Sequence, residues 1–173
     1  MTVDDTGARH QGKNGYTTHI GNEQFAWFQS TPTKSRSNFL QLLQAGHADY
    51  RMDAEALAYL RAQKLPSALV ETLAKPPIDY FTEPPAWHAH LTGVGITKAR
   101  HVRMATEGAL LAGALSHRFL RDLAIVSDDA GQFNILCHGW CGVHAERTIH
   151  KLRPLNETPR AELATVRRQI WDY

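Results

Sequence analysis

The chain has 173 residues, 43% hydrophobic and 21% charged, a composition that suits one globular domain with a buried core and excludes a disordered tail. Its formal net charge of +2, with ten histidines counted neutral, permits an acidic polymer as partner without demanding one. Two cysteines are too few for a secreted disulfide framework, the polar start MTVDDTGARHQGKNG is no signal peptide, and the apolar stretch at 109–115 is far short of a membrane span, so a soluble cytoplasmic protein without membrane association is expected.

In chain order, Thr2 and Val3 lead into Asp4 and Asp5, as though a strand were ending there. GKNG at 12–15 is turn chemistry. Residues 16–20 (YTTHI) and 24–28 (QFAWF) are rich in aromatic and β-branched residues, and Gly21-Asn22 between them signals a hairpin; together these predict a three-stranded meander. Ser35 or Ser37 then caps a helix that buries Phe39, Leu40, Leu42 and Leu43. Residues 47–51 read as a fourth short strand, and Asp53 opens a helical pattern with Leu57 and Leu60 on one face. From 65 to 99, Pro66, Pro76, Pro77, Pro84 and Pro85 leave room only for short helices. A longer helix spans 101–118, with a small-residue middle, EGALLAGALSH. Residues 122–126 (DLAIV) have the length of a buried strand and run into Ser127, Asp128 and Asp129, with Gly131 as a turn or close approach. A short helix and a last strand fit 134–143, and 144–152 and 159–173 read as helices. There is no internal repeat.

One local design occurs twice: an apolar strand running into paired acids and a glycine, as VDDTG at 3–7 and IVSDDAG at 125–131. Side chains alternate across a strand, so only one acid of each pair faces a given side. If the two strands lie parallel and adjacent, one acid from each meets at their C-terminal ends, where open α/β sheets place ligands. Two close carboxylates repel unless a cation lies between them, and hard oxygen donors suit Mg²⁺ or Mn²⁺. Such a pair serves phosphoryl transfer. Turn chemistry alone also accounts for Asp-Asp-Gly text.

The surrounding words favour the first reading. VDDTGARHQGKNGYTTHIGNEQFAWF, IVSDDAGQFNIL and HAERTIHKL closely resemble bacterial insertion-sequence transposases with an Asp-Asp-Glu active site, the insertion sequence 66 family and related groups being the nearest kin. The resemblance covers nearly the whole chain and is weakest in its proline-broken middle. It implies an α/β, ribonuclease H-like catalytic domain over 1–173. That domain is a mixed five-stranded sheet with helices on both faces and a helical insertion at about 53–118. It further implies cleavage of DNA at the element's ends, joining of the freed 3′-hydroxyl to target DNA, and Mg²⁺ or Mn²⁺ as cofactor. A homo-oligomer is implied for the full-length protein. Asp4 matches the family's first acid, with Asp5 in place of the neighbouring Glu. Asp128 matches the second, and Asp129 replaces it if the register is shifted by one. Asp4 and Asp128 are thus the expected catalytic and metal-ligating residues.

The third acid of the family is a Glu in an Asn-rich motif on a later helix, and no such motif precedes Tyr173. With Met1 three residues before Asp4, an incomplete transposase catalytic fragment that carries out metal-assisted phosphoryl transfer is expected, with an inactive remnant keeping the fold and residual DNA binding as the second reading. A stand-alone nuclease of the same fold, with Glu146 or Glu157 as extra acid, is the alternative. Glu146 otherwise reads as a helix-surface acid paired with a base. CHGWCGVH at 137–144 crowds Cys137, His138, Cys141 and His144 too tightly for an ordinary closed zinc site, and reads better as a buried strand with small thiols and a core tryptophan. His144 is also free to lie near the acids. Among bases suited to DNA phosphates, Lys34 and Arg36 at a helix start lead, followed by others including Arg118, Arg121, Arg147 and Lys151. Trp27, Phe28, Phe39 and Trp140 read as core aromatics.

Overall fold

The alternating text of the first thirty residues folds as an antiparallel meander in the computed structural model, which describes residues 1–47, 49–75, 80–117 and 122–172. Its strands are β1 (Thr2–His10), β2 (Lys13–Gly21) and β3 (Ala26–Thr31). β1 does not end at its acids, because pairing with β2 gives every residue from Thr2 to His10 a partner. The first turn consists of Gln11 and Gly12, both at positive φ (48° and 75°), a two-residue turn whose twist matches the strands it joins. It therefore falls earlier than the GKNG block suggests. At the second turn the Asn22 carboxamide oxygen accepts from the backbone N–H groups of Gln24 and Phe25, at 2.8 and 3.1 Å.

Two later strands complete the main sheet. β6 (Ala124–Ser127) lies parallel to β1, with Thr2 opposite Val126, and β7 (Cys137–Trp140) lies parallel to β6. The result is an α/β fold with a mixed five-stranded sheet, in the order β3-β2-β1-β6-β7, flanked by helices. β6 was expected to be buried throughout. Instead Ile125 and Ser127 are buried and Val126 is 36% exposed, because only one side of the strand meets the core.

Between the meander and β6 stands a helical layer: α1 (Arg36–Leu43), α2 (Ala54–Ala62), α3 (Ser67–Leu73), α4 (Pro84–Gly93) and α5 (Ala99–Ser116). Ser35, not Ser37, caps α1 by accepting from Asn38 N at 3.1 Å, and Asp53 caps α2. Pro84 occupies the first position of α4, where its missing N–H costs nothing. The expected strand at 47–51 shrinks to β4 (Tyr50–Arg51), which pairs with β5 (Tyr80–Phe81) in a separate two-stranded sheet and not with the main one. Ala48 within it, Pro76 and Pro77, Arg118 at the end of the expected insertion, Arg121, and Tyr173 lie outside the described residues.

α5 is the spine of the core, and its small residues are what let neighbours close on it. A Cβ on Gly113 would lie 2.1 Å from the carbonyl oxygen of Asp49 and 2.8 Å from Gln44 Nε2; one on Gly108 would lie 3.1 Å from Leu60 Cδ2. The buried Gln44 carboxamide fastens this crossing: Nε2 donates to Asp49 O and Leu110 O at 3.0 and 2.7 Å, and Oε1 accepts from Asp49 N at 2.7 Å. Aromatic packing fills the rest, with Phe39 edge-on to Phe133 at 4.9 Å and Tyr50 stacked on Trp87 at 5.6 Å.

Past β6 the chain makes a 3-10 turn (Gly131–Phe133), earlier than the short helix expected in 134–143. After β7 come α6 (Gly142–His150) and α7 (Glu157–Asp172), which pack on each other and bury no residue completely. No helix among the described residues is long and apolar enough to cross a membrane.

Candidate metal centre

Strand alternation selects one acid from each pair. Val3 is buried on the core side of β1, so Asp4 faces the other side and is exposed. Asp5 turns back toward the core, where Oδ1 accepts from Thr18 Oγ1 and Oδ2 accepts from Gln132 Nε2 at 2.9 Å. Because Thr2 and Val126 are partners across parallel strands, Asp4 and Asp128, each two residues further on, stand on the same face. β6 stops at Ser127 while β1 continues, so the two carboxylates meet where the sheet opens beyond the C-terminal end of β6. Asp128 Oδ1 accepts from Ala130 N at 3.0 Å, a local turn that fixes its carboxylate. Asp129 is exposed and does not join the group.

A third side chain arrives from the helix after β7. Cys141 N donates to Ser127 O at 2.7 Å, which holds the start of α6 against the Asp128 turn. His144, in the first turn of α6, then brings its ring to the acids: one ligand atom each from Asp4, Asp128 and His144 lie within 4.8 Å of one another. A single cation with bonds of about 2.0–2.5 Å spans at most about 4–5 Å between its ligands, so the three fit one ion. His144 Nδ1 is shut off from solvent without a hydrogen-bond partner, the kind of atom a cation site leaves wanting. Two hard carboxylates and an imidazole form a donor set suited to a divalent ion.

The backbone under Asp128 is braced from both sides. Ser127 Oγ donates to Asp128 O at 2.7 Å and lies 2.8 Å from His138 Nε2; with its single proton committed to the carbonyl, it accepts from His138. From the helical layer, Arg36 Nη1 donates to Tyr59 OH at 2.9 Å and Nη2 donates to Gly131 O; Tyr59 donates in turn to the buried Glu107 carboxylate at 2.8 Å. Burial pushes the Tyr59 phenol up to about 12, with the Arg36 hydrogen bond opposing and Glu107 reinforcing the shift.

This network corrects several expectations. Arg36 is no surface base awaiting a phosphate: its side chain is 18% exposed and ties α1 to α2, α5 and the Asp128 loop. Lys34 remains exposed, with Nζ 3.4 Å from Asp5 O. Glu146 bonds to Arg167 of α7 at 2.6 Å and Glu157 to Arg160 at 2.6 Å, and neither joins the two aspartates. Cys137 is exposed and Cys141 half-buried, so this segment is no buried strand of thiols; neither belongs to the converging group. Of the expected core aromatics only Phe39 is buried. Trp27 is 40%, Phe28 62% and Trp140 74% exposed, because β3 and β7 are the edges of the sheet and carry these rings beyond the helical cover.

Beside the three converging groups lies an open cleft of about 740 Å³, lined by Asp128, Trp140 and one side of α6. His144, Arg147, Thr148 and Lys151 recur there at helical spacing, so one face of α6 carries a base one turn and another two turns beyond His144. Nothing in the sequence forced this face toward Asp128; that depends on where β7 ends.

No protein-family model and no solved structure matches the chain. It is similar to "Uncharacterized protein y4jO" of Sinorhizobium fredii (strain NBRC 101917 / NGR234), at 37% identity over 175 residues. That match takes in 100% of this chain and 54% of the relative, so the chain spans about half the length of the protein it resembles.

Proposed function

We propose that the chain forms the metal-dependent phosphoryl-transfer core of an insertion-sequence transposase, ribonuclease H-like in architecture and acting on DNA. Asp4 and Asp128 hold Mg²⁺ or Mn²⁺. The observation that carries this reading is the convergence of one acid from each of two adjacent parallel strands, on one face, with a third donor beside them. The mixed five-stranded sheet and the helical layer between β3 and β6 are consistent with the expected architecture. VDDTGARH and VSDDAGQF, the words that carry the transposase resemblance, contain the converging aspartates.

A divalent cation, when bound, supplies Lewis-acid stabilisation of a phosphate and lowers the pKa of water. The chain's own residues supply placement. Asp4 and Asp128 are held by different strands, and the Ala130 hydrogen bond together with the Ser127–His138 and Arg36–Gly131 braces keeps the second from swinging. Along the cleft, Arg147 and Lys151 attract a phosphate backbone, and Trp140 offers a ring face for a base at an opened strand end.

The test is nicking and strand joining of labelled DNA by the chain with Mg²⁺ or Mn²⁺, comparing wild type with Asp128→Asn. Metal-dependent products that disappear in the variant are expected. A wild-type chain that gives no such products, or equal cleavage by both proteins, overturns the reading.

A further inference from the structure

Resting on that reading of the acidic pair, we infer that His144 is the third metal ligand of the site, so that the centre is Asp-Asp-His and takes Mn²⁺ in preference to Mg²⁺. Of the two candidate donors on α6, His144 and not Glu146 is turned to the aspartates: Arg167 Nε holds Glu146 Oε1 at 2.6 Å, and the Glu146 side chain is 13% exposed between α6 and α7. Residues 144 and 146 lie about 200° apart around a helix, so α6 cannot present both to the same point. His144 has the side facing the sheet and Glu146 the side facing α7.

The imidazole is placed by backbone geometry rather than by chance contact. β7 runs parallel to β6, Ser127 O accepts from Cys141 N, and His144 follows in the first helical turn, so its position relative to Asp128 is set by the two strand ends. The ring makes no hydrogen bond through Nδ1, although that atom is closed to water. A cation is the partner that also relieves repulsion between Asp4 and Asp128. Carboxylates alone suit Mg²⁺, whereas an imidazole shifts a site toward first-row transition ions.

The experiment is a Mn²⁺ titration of the whole chain, with pulsed electron paramagnetic resonance of the bound ion to detect a directly coordinated ¹⁴N. Wild type is expected to bind Mn²⁺ more tightly than Mg²⁺ and to show nitrogen coupling. His144→Ala loses that coupling and binds Mn²⁺ roughly tenfold or more weakly, comparable to losing even an outer-shell partner of a metal ligand. His144→Glu restores Mn²⁺ binding without nitrogen coupling, which separates ligation from a folding defect, and brings Mg²⁺ affinity closer to that for Mn²⁺. If Mn²⁺ binds and is lost in Asp128→Asn, but no nitrogen coupling is seen or His144→Ala leaves it unchanged, the inference falls while the proposed function stands. A wild-type chain that binds no divalent ion overturns both.

Discussion

Val3, Ile20 and Ile125, on one face of the sheet, belong to a single buried cluster with residues of α1, α2 and α5, and the buried Gln44 carboxamide and Glu107 carboxylate beside it are hydrogen-bonded. Asp4 and Asp128 look the other way, toward α6; α6 and α7 bury no residue completely, and Val143 and Trp171 on them and Leu155 between them are exposed. The difference teaches how the two tasks are divided. Stability is concentrated where apolar area and close backbone approach reinforce each other. The site is positioned instead by strand ends and a few hydrogen bonds, and stays open to a large ligand.

The largest effect that sharpens this contrast is expected at α5. Gly113→Ala puts a methyl group against the Asp49 carbonyl, a backbone atom that cannot rotate away, and should cost about 3 kcal/mol, lowering the melting temperature by roughly 6–12 °C. A melt unchanged within a degree would show that α5 and the loop before β4 are not tightly apposed.

Next comes Tyr59→Phe, which removes the phenol that links Arg36 to Glu107 and should cost about 1–2 kcal/mol in denaturant unfolding. The pH dependence has a definite sign. Because the folded Tyr59 pKa is pushed up to about 12, its contribution is complete below the ordinary tyrosine value of about 10 and is lost as pH rises through the folded value. Wild type should therefore lose its advantage over Tyr59→Phe between about pH 10 and 12, read as converging melting temperatures. The difference between the two proteins isolates Tyr59 from Tyr50 and Tyr80, which are also raised.

The smallest effect is expected on the open side. Trp171→Ser, at a residue 62% exposed, should change stability by no more than about 0.5 kcal/mol. A loss approaching that of Gly113→Ala would break the comparison, since it would mean that α7 is part of the stabilising core.

Much of the secondary structure was legible because its signals are local. A helix start at Ser35 or Ser37 and another at Asp53, Gly21-Asn22 as a turn, and the EGALLAGALSH helix each depend on residues within a few positions of one another. The β4–β5 pair was not, because Tyr50 and Tyr80 stand thirty residues apart and each strand is two residues long, too short for a periodic pattern. Exposure of Trp27, Phe28 and Trp140 was misjudged for a related reason: composition marks a ring as apolar, but only the strand order makes β3 and β7 edges.

By itself, the sequence determined that acidic text follows apolar text twice and that one acid of each pair must share a side with its strand's alternate residues, since that alternation is a property of the extended backbone. Only the tertiary structure brings Asp4 and Asp128 together on one face, through the single register that sets Thr2 beside Val126, and brings His144 to them from sixteen residues beyond Asp128. Register and helix placement are set by hydrogen bonds and packing between distant segments, and no window of neighbouring residues contains that information.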